Sequence, residues 1–113
     1  MSVKLVVLYP PPIDEEEFER RYVGEHLPLM RTLLGPDVPL PTYRILSPAG
    51  GAGPYYRVAE IHFRDAGELQ RFARSEGAER GRASSVAVST GGPPLLLVCE
   101  QQPDVPAASP PRA

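Results

Sequence analysis

The chain has 113 residues and a formal net charge of −2, enough for one domain with a single modest core that needs neither metal nor disulfide. A pI near 5.7 and scattered arginines leave no basic stripe for a phosphate backbone, which excludes nucleic acid as an expected partner. The single cysteine, Cys99, lacks a disulfide partner and falls in an apolar run, where an inert thiol is expected.

Residues 3–9, VKLVVLY, are rich in β-branched and aromatic residues, end at three prolines and are too short for a helix, so they read as the first strand. Both alternating sets are apolar apart from Lys4, which predicts burial of both faces. This amino-terminal stretch is too short to span a bilayer and lacks a signal-peptide cleavage pattern. No membrane association is expected, and a cytoplasmic protein is the default reading.

Residues 14–34 read as an amphipathic helix. Asp14 is a good N-cap, Glu17 completes a capping-box pattern, and Ile13 and Phe18 have the spacing of a hydrophobic staple. Phe18, Tyr22, Val23, His26, Leu27, Leu29, Met30, Leu33 and Leu34 fall within one half of the helical wheel. His26 therefore belongs to the apolar arc with Tyr22 one turn before it. Pro28 removes a backbone donor and disfavours helical angles at Leu27, which predicts a kink or restart there. His26 then borders a break where a ligand has room.

Gly35 and Pro36 stop the helix, and a second strand is expected at 41–47, at a sheet edge because of Pro39 and Pro41. PAGGAGP at 48–54 reads as a long hairpin loop; no helix and no Gly-Lys-Ser/Thr follows it, so it is not a phosphate loop. Residues 55–64 form the third strand, with Ala59, Ile61 and Phe63 on one parity and Tyr56, Val58, Glu60 and His62 on the other. Asp65 and Glu68 repeat the capping pattern before a second helix, with a break and a further short helix expected up to about residue 87. GGPP at 91–94 turns into a last strand, LLLVCE. The domain thus spans residues 1–102, and residues 103–113, PDVPAASPPRA, are expected to form a Pro-rich disordered tail.

The order of elements is βαββαβ, that of an α+β ferredoxin-like sandwich with an antiparallel sheet and both helices on one face. Apolar residues on the other face predict a homodimer that buries sheet against sheet. A pocket between or beside those sheets would take its polar groups from Tyr56, Glu60 and His62, unless these are merely solvated at a rim.

VKLVVLYP, the acidic helix start, Phe18, Tyr22, the Glu25-His26-Leu27-Pro28-Leu29 stretch, YYRVAEIHF with Asp65 after it, and TGGPPLLLV together resemble the EthD family over residues 3–101. The resemblance implies a dimeric α/β barrel of ferredoxin-like subunits. It also points to the histidine of the His-x-Pro stretch, here His26, as the feature most suggestive of chemistry. Relatives of this barrel include cofactor-free monooxygenases, cyclases, decarboxylases, isomerases and haem enzymes, so the resemblance implies the fold more than the reaction.

A histidine in an apolar pocket stays neutral near pH 7 and can accept a proton, with Tyr22 orienting it or stabilising an enolate oxygen. The competing reading is that His26 caps backbone freed at Pro28. Glu60 and His62 have an i, i+2 spacing that puts two ligands on one face, but no third ligand is in view, so neither metal nor other cofactor is expected. The leading expectation is a cofactor-independent enzyme, of oxygenase, isomerase or cyclase type and possible oxidoreductase class. It would act on a hydrophobic small molecule, with His26 as catalytic base, Tyr22 beside it, and Tyr56, Glu60 and His62 binding substrate. The rival is a non-catalytic binding or accessory protein for an oxidative degradation pathway.

Overall fold

A computed structural model describes residues 2–46 and 53–106. The order is β1 (Val3–Tyr9), α1 (Glu15–Arg21), a π-helical turn (Tyr22–His26), α2 (Leu27–Leu34), β2 (Thr42–Arg44), β3 (Arg57–Phe63), α3 (Ala66–Ala73), α4 (Glu76–Val88) and β4 (Leu95–Glu100). The four strands form one antiparallel sheet in the order β2-β3-β1-β4. This is the ferredoxin-like α+β fold expected from the alternation of short apolar runs with capped helices. The glycine-rich segment at 47–52 and the tail from residue 107 lie outside the described residues; residues 103–106 are exposed and irregular.

Register assigns the faces. Val3, Leu5, Val7 and Tyr9 of β1 oppose Phe63, Ile61, Ala59 and Arg57 of β3, and Val98 and Leu96 of β4 lie opposite Leu5 and Val7. These residues face the helices. Lys4, Val6 and Leu8, paired with His62, Glu60 and Val58, face the other way with Leu95, Leu97 and Cys99. β2 is shorter than predicted, but Pro41 and Pro39 still accept backbone bonds from Glu60 and His62 at 2.9 and 3.1 Å. Prolines can accept such bonds and cannot donate them, hence their place at the edge.

Asp14 caps α1 by accepting the Glu17 N–H at 3.1 Å. The Glu17 carboxylate turns instead to Arg20, at 2.7 Å. Ile13, 85 % exposed, does not form the expected staple; its N–H bonds Thr90 Oγ1 at 3.1 Å and pins the entry to the helix instead. Asp14→Ala is expected to lower stability by about 1 kcal/mol, read by urea denaturation; an unchanged midpoint would contradict the cap.

Asp65 and Ser75 cap α3 and α4. α4 runs through Gly77 and Gly81, and the break falls before it. Gly35 ends α2 at φ 88°, a conformation that glycine adopts without penalty. At Gly91 a Cβ would run into the Pro11 carbonyl, so the turn into β4 admits no side chain. Tyr9, Phe18, Tyr22 and Tyr56 form the aromatic part of one core cluster, and Phe63 lies in a second with Met30 and Ile61. Phe18 stacks on Tyr22 at 5.2 Å, and Tyr9 meets both edge-on.

Candidate functional site

A cavity of about 180 Å³ lies between the sheet and the helices. Its floor is Leu5, Val7, Ala59, Ile61 and Phe63; the π turn and α2 add Tyr22, His26, Leu27 and Met30, and α3 and α4 close it with Leu69, Phe72, Gly81, Arg82 and Ser85. It reaches the surface beside β4, where Leu96 and Val98 line it yet stay 43 % and 65 % exposed. The helices do not extend over this strand.

The helix is continuous through Pro28, contrary to the expected break: Leu27 has helical angles, φ −62° and ψ −43°. The strain is taken up one turn earlier. The Leu27 N–H bonds the Tyr22 carbonyl, five residues back, so the turn ahead of the proline is widened by one residue. Such π turns often accompany functional sites. Here the turn leaves the Tyr22 and His26 rings 5.4 Å apart between centroids and tilted by 32°, both buried.

His26 is 5 % exposed. Its Nδ1 lies 2.9 Å from Ser84 Oγ, and its Nε2 is 3.4 Å from the Tyr9 hydroxyl, which in turn is 2.7 Å from Ser85 Oγ. Neither ring nitrogen meets the backbone, so the arrangement is not a cap on groups freed at Pro28. Burial pushes the His26 pKa down to about 4, because desolvation disfavours the imidazolium. Burial likewise raises Tyr9 and Tyr22, so both phenols stay protonated at neutral pH.

Tyr22 is held from behind. Its hydroxyl is 3.0 Å from Thr42 Oγ1, and the Arg57 guanidinium lies 4.6 Å from its ring centroid, a cation–π contact. Arg57, itself buried, grips Glu19 at 2.6 and 2.8 Å, and Tyr56 donates to the same carboxylate at 2.5 Å. Burial works to raise the Glu19 pKa, but the bonds from Tyr56 and Arg57 outweigh it and hold the carboxyl below its ordinary range.

The expected site residues therefore separate into three places. His26 and Tyr22 share the cavity. Tyr56 does not lie with Glu60 and His62: it precedes β3 in a bend, strand parity does not extend to it, and its ring is buried on the helix side against Phe18. Glu60 and His62 bond each other at 2.7 Å on the opposite sheet face, with Lys4 at 3.2 Å from Glu60, and do not line this cavity. Among the described residues no cluster of three or more His, Cys, Asp or Glu could hold a metal. Sequence reasoning missed Tyr9, Ser84 and Ser85. The one available hint was a pair of hydroxyls in the Ala/Gly-rich α4.

The architecture and its buried histidine define a ferredoxin-like domain with an internal apolar pocket. The EthD domain model matches residues 10–83, and the chain belongs to the EthD family. It is similar to an EthD family protein from Bacillus halodurans, at 26 % identity and a TM-score of 0.79, covering 90 % of this chain and 100 % of that one. It also resembles a dimeric ferredoxin-like protein from Jannaschia (17 % identity, TM-score 0.69, 89 % and 100 % covered). A hydroxynitrile lyase from Passiflora edulis has the same fold (14 % identity, TM-score 0.68, 93 % and 97 % covered). No curated protein matches the chain.

Proposed function

We propose that the chain is a cofactor-independent enzyme of oxygenase, isomerase or cyclase type that takes a hydrophobic small molecule into the helix-side cavity and uses His26 as general base. One observation carries this reading: a neutral, buried histidine sits in a largely apolar wall, with hydroxyl groups at both nitrogens. In the tautomer whose Nδ1–H donates to Ser84 Oγ, Nε2 is the basic nitrogen. Its 3.4 Å separation from the Tyr9 hydroxyl is too long for a strong N···O bond, so that lone pair is available to an acidic C–H or O–H of a substrate. The imidazolium formed there is stabilised chiefly by the oxyanion generated beside it, and Tyr22, whose side chain lines the cavity next to His26, is the donor assigned to that oxyanion. The lyase on the same fold supports the scaffold's fitness for such chemistry.

The test is a turnover screen with small phenols and β-diketones. His26→Ala is expected to leave a folded protein and to lower the rate at least about a hundredfold; unchanged turnover would overturn the reading. The rival, a binding or accessory protein, is favoured if both forms bind ligand and neither turns it over.

The open sheet face is proposed as a homodimer interface. Leu95 and Leu97 are each 41 % exposed there, and Tyr43 is 52 % exposed, beside Val6, Leu8 and Val58. Several relatives on this fold are dimeric. Leu97→Asp is expected to convert a sedimenting dimer into a monomer; a wild-type monomer at micromolar concentration would contradict the proposal.

A further inference from the structure

We infer that the cavity takes a single-ring aromatic carboxylate whose anionic end is held at the rim by Arg82, an inference that rests on reading the cavity as a ligand site. Arg82 is the one formally charged side chain among the lining residues. It is exposed on α4, one turn before Ser85. Among the described residues it forms no ion pair. Glu79, three residues earlier and placed to reach it along the helix, does not pair with it.

The polar groups of the lining thus differ in kind: His26 and Ser85 are uncharged and buried, Arg82 is an exposed cation where α4 reaches the surface, and most of the remaining lining is aliphatic or aromatic. The volume of about 180 Å³ is close to the roughly 150 Å³ that holds a benzene ring. One ring fills it, and a short arm reaches the rim. A guanidinium fork matches a carboxylate with two parallel N–H···O bonds, and both partners stay charged through neutral pH. A phosphate dianion fits less well, because one arginine leaves half its charge uncompensated against an apolar mouth.

Calorimetric titration of the protein with 3-phenylpropionate and its neutral amide, repeated on Arg82→Gln and Arg82→Lys, tests this. The protein is expected to bind the acid about tenfold more tightly than the amide. Arg82→Gln should lose that preference while binding the amide as before, and Arg82→Lys should keep part of it. Equal binding of acid and amide, or a preference that survives Arg82→Gln, overturns the role of Arg82 and leaves the cavity reading standing. Binding of neither probe, with the His26 ring resonances unmoved, overturns both.

Discussion

Glu19→Ala is expected to lower the stability of the domain by about 3 kcal/mol, measured as a fall in urea midpoint at constant m-value, because it strands a buried cation. Arg57 is 7 % exposed, and its Nε already has no hydrogen-bond partner. Removing Glu19 takes away both bonds to Nη2 and leaves Thr42 Oγ1, at 3.1 Å from Nη1, as its partner. Tyr56 loses its acceptor in the same step. Glu19 is itself 30 % exposed at the side chain, so water reaches the vacated site and holds the loss to about 3 kcal/mol, at the low end for a broken buried pair. Replacing both partners, Glu19→Leu with Arg57→Met, should recover most of the loss, since a packed apolar pair carries no desolvation penalty. A loss under about 1 kcal/mol in the single variant would show that the pair contributes no more than an exposed one.

Acidification from pH 7 to pH 4 is expected to remove about 3 kcal/mol through His26 alone. The folded pKa of about 4 lies below the unfolded value near 6.5, so the unfolded chain takes up the proton first. Stability is complete above pH 6.5, falls as pH drops through that window, and is lost below the folded pKa. His26→Gln should flatten this part of the stability profile. In an active enzyme the same ionisation should leave the pH–rate profile flat above about pH 5 with respect to His26 and depress it near pH 4. A stability profile unaltered by the substitution would mean that the imidazole is not desolvated as described.

The sheet and helices were legible because each rests on a short-range pattern: caps at Asp14 and Asp65, period-two alternation in β3, and punctuation at Gly35 and at 91–94. The pairing of Tyr22 with His26 was legible for the same reason, being a neighbour relation on one helix. The cavity's location was not. Parity separates Ile61 from His62 but does not tell which face is left underpacked. The gap arises because helices of limited length leave β4 uncovered, a matter of tertiary geometry. Tyr56 broke parity because the strand begins one residue later. Tyr9 looked like an ordinary strand end, and only the fold brings it to His26 and Ser85 from 17 and 76 residues away. Pro28 was a correct sign of irregularity, displaced one turn towards the amino terminus into a π turn.

Whether His26 is a neutral base in a working pocket is tested most directly by an NMR titration of its ring in the purified protein, with and without small phenols and β-diketones. A ring that stays neutral down to about pH 4, with a titration that moves when a ligand is added, is the predicted result. An ordinary titration near pH 6.5, unmoved by every ligand, would contradict it.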